Sequence, residues 1–303
     1  MKYKTGYAAI VGRPNSGKST LLNSLTGEKV SIISPKPQTT RNVLRGIYTD
    51  DQSQVIFVDT PGIYKAANKL GEIMVKNAEE AFGNTDVIIY IADASRKDLP
   101  GGEEYIISLL KNTKKPVILA LNKIDKLSSK TVILKTIDEL SKKVDLTEVI
   151  PVSALNNDGT ALILESVKKL LPEGEKLYPD DMYTDQTERF IVSEIIREKL
   201  FNELKEEIPY GTQTEVVSFK EKTDPDIIEI SVNIYCEKKS HKAIIIGKNG
   251  AMLKKIGTRS RIEIERILGI KVFLELWVKV KDEWRNDIPF LKDMGFDLKG
   301  NRS

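Results

Sequence analysis

Residues 12–19 read GRPNSGKS, a glycine, four residues, then Gly-Lys-Ser, standing between the apolar run YAAIV and the amphipathic run KSTLLNSLTG. No other feature constrains the chain as strongly, because it demands a strand, a tight loop and a helix in that order. Glycine lets backbone N–H groups turn inward around phosphate oxygens. This reading lays Lys18 against the β- and γ-phosphates of a nucleotide and the Ser19 hydroxyl on Mg²⁺. Background composition makes a chance match roughly a one-in-a-hundred event for a chain of this size.

Short apolar runs recur between residues 7 and 171: YAAIVG, VIFVD, VIIYIAD, PVILALN and EVIPVSA, with amphipathic stretches such as 101–111 and 131–143 between them. Such alternation predicts crossover units, hence a largely parallel sheet with helices on both faces. NVLRGIYTDDQSQVIFVD departs from it, reading as two strands joined by a polar turn, which predicts one antiparallel edge strand. Ligands of these sheets bind at the carboxyl ends of the strands. Residues 172–187, PEGEKLYPDDMYTDQT, are rich in Pro, Asp and Gly, lack periodicity and mark a boundary. We therefore expect a nucleotide domain over 1–172, a linker over 173–187 and a second domain over 188–303.

Further motifs fall where strands end. DTPG, residues 59–62, closes VIFVD. There the Asp59 carboxylate can hold the magnesium shell, and the Gly62 N–H can face the γ-phosphate. NKID, residues 122–125, closes PVILAL. Guanine presents two N–H donors on one edge, which the single carboxylate of Asp125 can accept. Adenine has no such pair and would leave Asp125 buried and unpaired, a mismatch worth about 10⁴ or more in discrimination. SAL, residues 153–155, follows EVIPV and would support guanine O6 through the Ala154 N–H. The polar loop between residues 28 and 45 carries Thr39 and Thr40, either of which can close on Mg²⁺ when the γ-phosphate is present.

From residue 188 the pattern restarts: a helix over 188–203, a hairpin of TEVVSFKEK and IIEISVNIYCEK turning at TDPD, then IIIGKNG, a helical stretch interrupted at Gly257, and a last strand IKVFLELWVKVK. IIIGKNG, residues 244–250, holds a Gly-x-x-Gly turn between an apolar run and a helix. KH domains clamp the backbone of four nucleotides with such a turn. Residues 238–261 contain eight Lys and Arg and no Asp or Glu, and a basic run centred on such a turn points to phosphate contact. The expected RNA contacts are Ile246, Gly247, Lys248, Asn249 and Gly250. With no aromatic in the loop, base reading falls to apolar contacts from residues 244–246 and to edge hydrogen bonds. Trp277 and Trp284 read as packing residues rather than stacking platforms.

Composition removes other classes. A single cysteine, Cys236, excludes an intramolecular disulfide framework. One cysteine with one histidine, His241, cannot build a structural zinc site, and argues against Ser-His-Asp or Cys-His catalysis. Cys236 reads as a buried inert thiol, and His241, inside the basic stretch, as within reach of a phosphate. The net charge of +3 decides nothing about partners. No run approaches the ~20 apolar residues of a membrane span. A cytoplasmic location is expected, with room for peripheral contact at the cytoplasmic face of the cell membrane.

GRPNSGKS, QTTRN, DTPG, NKID and SAL, in that order, resemble the translation-factor-like branch of P-loop GTPases, and the Era family of bacterial GTPases in particular. YPDDMYTDQTERFIVSEIIREK and IIIGKNG are similar to that family too, so the resemblance spans nearly the whole chain. It implies an α/β P-loop GTPase domain followed by an α+β type II KH domain. It also implies hydrolysis of GTP to GDP and phosphate with Mg²⁺. Thr40 is thereby chosen over Thr39 as a magnesium ligand beside Ser19 and Asp59, and Lys18, Thr40, Asp59 and Gly62 become the catalytic set. Nucleotide contacts would come from Gly12, Arg13, Pro14, Asn15, Ser16, Gly17, Lys18, Ser19 and Thr20. Asp59, Thr60, Pro61, Gly62 and Ile63 would add theirs, as would Asn122, Lys123, Asp125, Ser153 and Ala154.

Ras-like enzymes orient the attacking water with a glutamine where this chain has Ile63, so slow intrinsic hydrolysis is expected. Asn15 resembles the asparagine with which related GTPases coordinate potassium, an ion that would neutralise transition-state charge. The implied RNA is 16S ribosomal RNA near its 3′ end, and the implied role is rRNA processing and assembly of the small (30S) subunit, performed by a monomer. Two other readings stand beside this one. The chain would be a passive RNA-binding assembly factor with nucleotide as a structural ligand, or a membrane-surface or cell-cycle GTPase using the basic patch on lipid headgroups.

Overall fold

The computed structural model describes residues 2–34, 36, 39–62, 66–96, 101–127, 131–221 and 227–296. Its contacts divide the chain into two compact units that part between residues 185 and 186.

The first unit runs β1 (Lys4–Val11), α1 (Lys18–Thr26), β2 (Leu44–Thr49), β3 (Ser53–Asp59), α2 (Lys69–Gly83), β4 (Val87–Asp93), α3 (Gly101–Lys111), β5 (Val117–Asn122), α4 (Thr131–Ser141), β6 (Glu148–Val152) and α5 (Thr160–Leu170). Its sheet has the order β2-β3-β1-β4-β5-β6, parallel except for β2, which is antiparallel to β3 at the edge. β3 and β5 are buried along their whole length, because a parallel sheet packed on both faces leaves no side for polar alternation. The strand period of two divides the core accordingly. Ala8, Ile10, Ile89 and Ile91 pack with Leu21, Leu22, Ile163 and Val167 of α1 and α5. Ala9, Val11, Ile88 and Tyr90 pack on the other side with Ala78, Ile106, Leu110 and Leu140 of α2, α3 and α4. This fixes the carboxyl ends of β1, β3, β4 and β5 at one end of the sheet, and with them residues 12, 59, 93 and 122.

Residues 173–185 pack on the first unit. The Gln54 side chain reads this stretch as a third strand would: its Oε1 accepts from the N–H groups of Leu177 (2.7 Å) and Tyr178 (2.9 Å), and its Nε2 donates to Tyr178 O (2.8 Å). Further along, Ile47 N donates to Tyr183 O (2.9 Å), and Arg45 pairs with Asp185 (2.6 Å). The Pro/Asp-rich stretch thereby closes the edge of β2, an edge that otherwise presents a row of unpaired backbone groups.

The second unit runs α6 (Glu188–Glu203), β7 (Thr212–Glu221), β8 (Ile227–Cys236), α7 (Lys239–Ile246), α8 (Ala251–Leu268), β9 (Lys271–Val280) and α9 (Ile288–Asp293). β8 is central, antiparallel to β7 and parallel to β9. α6 starts where Thr187 Oγ1 caps the Phe190 N–H, and its Val192, Ile195, Ile196 and Leu200 join Ile230, Val232, Ile234 and Ile264 in one core. Gly257 does not interrupt the helix: α8 is continuous through it. A Cβ at that position would stand 3.3 Å from Leu276 Cδ1, so the glycine trades about 1 kcal/mol of helix propensity for close approach to β9.

Candidate nucleotide site and candidate RNA loop

β1 delivers its chain into a loop in which Asn15 (φ 63°) and Gly17 (φ 107°) are left-handed. At Gly17 a Cβ would collide with the Asn122 amide, so both the backbone angle and the space exclude a side chain. The Lys18 ammonium is buried and folds over its own loop, donating to Gly12 O (3.1 Å) and Arg13 O (2.8 Å). Burial pushes its pKa down to about 8, with Asp59 and Glu103 pulling the other way. A cation held only by carbonyls in a dry loop calls for an anion, and phosphate supplies one.

Beside it, Ser19 Oγ lies 2.8 Å from Thr40 Oγ1 and donates to Asp59 Oδ2 at 2.9 Å. Ser31 Oγ donates to the same oxygen at 3.1 Å. Asp59 is fully buried, and burial raises its pKa against Lys18 and the three hydroxyls. Its Oδ1 has no hydrogen-bond partner. Two hydroxyls and a buried carboxylate with a spare oxygen form a donor set suited to a hard cation. The residues present therefore fit Mg²⁺.

Asn122 ties three segments together. Its Nδ2 donates to Ser16 O (2.8 Å), and its Oδ1 accepts from Ala154 N (3.0 Å). The Ala154 N–H, expected at guanine O6, is thus engaged by Asn122 in this structure. Lys123 reaches the phosphate loop at Asn15 O (2.6 Å) and pairs with Asp93 (2.7 Å). Burial alone would raise the Asp93 carboxyl, but Lys123 and Ser95 hold it below its usual range. Asp125 is exposed to the pocket rather than buried, and the Ser153 hydroxyl donates to its Oδ1 at 2.6 Å.

These groups border a cavity of about 550 Å³ whose lining includes Asn15, Lys18, Ser19, Thr40, Gly62 and Asp125. Thr60 faces inward, donating to Ile10 O (3.0 Å). Ile63 lies outside the described residues. Sequence reasoning missed Asp93 and Ser31. Asp93 carried a signal, since it ends β4 as Asp59 ends β3. Ser31 carried none, being one serine in a polar loop.

In the second unit, α7 ends at Ile246 and the chain turns through Gly247 (φ 74°), Asn249 (φ 51°) and Gly250 (φ 77°) into α8. A Cβ at Gly247 would lie 2.7 Å from Met252 Cβ. Lys248 and Asn249 are exposed at the tip. Ile245 is fully buried in the core, which removes it from the apolar contacts expected of residues 244–246 and leaves Ile244 and Ile246. His241 is buried too, with Glu207 at 3.9 Å, so it does not reach a phosphate. Two of the eight cations, Lys255 and Arg259, pair with Glu203 of α6. Cys236 is buried, and burial pushes its thiol up, against Lys242. Trp284 is fully buried, its Nε1 donating to Gly211 O (2.9 Å), whereas Trp277 is 59% exposed. Among the described residues no helix is long and apolar enough to cross a membrane.

Comparison with known proteins finds one family model in each unit. The family described as 50S ribosome-binding GTPase matches residues 7–123, and the KH domain family matches residues 207–285. The chain is 51% identical over 300 residues to GTPase Era of Caldicellulosiruptor saccharolyticus, covering 99% of both chains. It is 47% identical over 297 residues to GTPase Era of Clostridioides difficile, covering 98% of this chain and 100% of that one. Among solved structures, an Era variant of Aquifex aeolicus bound to GDP·AlF4⁻ superposes with a TM-score of 0.94 at 43% identity, covering 97% of this chain and 100% of the other. Era in complex with MgGDPNP and nucleotides 1506–1542 of 16S ribosomal RNA gives the same TM-score and identity, covering 98% and 100%.

Proposed function

The chain belongs to the Era family of GTPases, and on that premise we propose that it binds and hydrolyses GTP with Mg²⁺ and holds 16S ribosomal RNA near its 3′ end during processing of that RNA and assembly of the small subunit. The observation that carries this reading is the convergence of Lys18, Thr40 and Asp125 on one cavity. Lys18 would release its two loop carbonyls for the β- and γ-phosphates, and the Gly62 N–H would face the γ-phosphate. Ser19, Thr40 and Asp59 would hold Mg²⁺, which when bound supplies charge neutralisation between phosphate oxygens. Asp125 would take the two N–H donors of guanine. Phosphate release from GTP tests the assignment: Lys18→Ala and Thr40→Ala should each lower turnover by about 10² or more, and unchanged turnover in Lys18→Ala would refute it.

Asn15 would add a potassium site beside the phosphates, and equal turnover in KCl and NaCl would dispose of that ion. On the RNA side, the turn 246–250 would clamp the phosphate backbone, Lys248 contributing charge and the glycines close approach. We take residues 1–172 as the nucleotide domain and 188–303 as the RNA domain, joined by 173–187, in a cytoplasmic monomer. Nucleotide state is proposed to set RNA affinity. Identical RNA affinity with GDP and with a non-hydrolysable GTP analogue would reduce the chain to a passive assembly factor. Peripheral membrane contact would use the same basic stretch, and liposome binding that survives competing RNA would support it.

A further inference from the structure

The polar loop of residues 28–45 is pinned near its start by one side chain of α1. Asn23 Oδ1 accepts from the N–H groups of Val30 (3.0 Å) and Ser31 (2.8 Å), and its Nδ2 donates to Ser31 O (2.8 Å). One amide, acceptor and donor together, thus takes up both backbone groups of Ser31 and fixes where that residue lies. The Ser31 hydroxyl donates to Asp59 Oδ2 at 3.1 Å.

Asn23 stands one turn after Ser19 on the same face of α1. Ser19 donates to that same oxygen of Asp59 at 2.9 Å. A closed ring of contacts therefore runs from Ser19 along α1 to Asn23, through Ser31 to Asp59 at the end of β3, and back to Ser19. Ser19 and Thr40 line the nucleotide cavity and would have a second task as metal ligands. Ser31 is 1% exposed and lies outside the cavity lining, so its hydroxyl serves the carboxylate. A hydrogen bond to an ionised carboxylate is about twice as strong as one between neutral groups. Two hydroxyls on one oxygen hold such a side chain against rotation, and its Oδ1, without a hydrogen-bond partner, is kept in a set place.

We propose that Ser31 is a positioning residue for magnesium: pegged to α1 by Asn23, it holds the Asp59 carboxylate in the orientation that receives the ion. That role presupposes Mg²⁺ at Ser19, Thr40 and Asp59. Groups that hold a metal-binding carboxylate contribute about 10- to 100-fold to metal affinity without touching the metal.

The test uses the full chain, Mg²⁺ and a fluorescent non-hydrolysable GTP analogue. Analogue affinity measured across a Mg²⁺ titration gives the half-saturating Mg²⁺ concentration, which Ser31→Ala should raise about tenfold or more. Affinity in EDTA, which needs a folded site but no metal, should match that of the native chain. An unchanged Mg²⁺ requirement in Ser31→Ala overturns the proposal. So does an equal loss of affinity with Mg²⁺ and in EDTA, which would make Ser31 a packing residue of its loop. A native chain whose affinity ignores Mg²⁺ would remove the metal site itself, and the role of Ser31 with it.

Discussion

The Ser153 hydroxyl donates to Asp125 Oδ1 at 2.6 Å, although the two residues are 28 apart in sequence and lie beyond the ends of neighbouring strands β5 and β6. The bond holds a carboxylate that is otherwise exposed and that lines the pocket. The serine of SAL thus holds the residue proposed to read the base.

Asp125→Asn should weaken GTP binding by about a hundredfold or more and favour xanthine nucleotides, because an amide offers guanine a donor where an acceptor is needed. Ser153→Ala should cost about 1 kcal/mol of binding, roughly fivefold, by freeing the carboxylate. Competition titrations with GDP and xanthosine diphosphate check both. Unchanged guanine affinity in Asp125→Asn contradicts the base-reading role.

Asn122 is a keystone for stability as well as binding. Its substitution by alanine strips the Ser16 carbonyl and the Ala154 N–H of their partner at once. Leaving buried groups unsatisfied costs about 1–3 kcal/mol each. Thermal unfolding of the nucleotide-free variant should show a clear fall in Tm, and an unchanged Tm would mean that water replaces the amide.

Lys18 gives nucleotide binding a pH signature. In the free chain its pKa is pushed down to about 8 by burial. A polyphosphate favours the charged form and raises that pKa. Between the free and bound values the complex therefore holds more protons than the free chain, so affinity falls as pH rises above 8. At pH 9, GDP binding should take up about one proton, read by calorimetry in buffers of different ionisation enthalpy. No proton uptake would place the ammonium away from the phosphates.

The Gly-x-x-Gly turn separates geometry from charge. Gly247→Ala forces a Cβ against Met252 in a left-handed backbone and should destabilise the second unit by about 1–3 kcal/mol. Lys248→Glu with Asn249→Asp changes the charge of exposed side chains, aspartate sharing asparagine's tolerance of the left-handed backbone at residue 249. That pair should abolish RNA binding at physiological salt while leaving GTP turnover intact. Filter binding and phosphate release on the same preparation distinguish the two effects, and retained RNA affinity would move the RNA site elsewhere.

The motifs were legible because their chemistry is local. A phosphate loop needs its glycines within one turn, and strands buried on both faces, such as VILALN, announce themselves by unbroken apolar runs. Contacts made at long range left no such mark. Gln54 reads as one more polar residue of a hairpin until Leu177 and Tyr178, more than a hundred residues on, come to rest on its amide. His241 looked available because Lys238, Lys239 and Lys242 stand close to it in sequence, yet helix geometry turns it into the core. Gly257 looked like a break because propensity alone cannot see Leu276 across the gap. The same holds for Asp125, whose exposure and whose hold by Ser153 depend on how two strand ends lie side by side.

The central claim is that the loop at residues 12–19 wraps a polyphosphate while Asp125 selects its base. Equilibrium dialysis of the purified chain with Mg²⁺ and equimolar GTP and ATP tests both halves at once. The account predicts that the bound fraction is almost wholly GTP and that Asp125→Asn removes the preference. Equal retention of the two nucleotides by the native chain would contradict it.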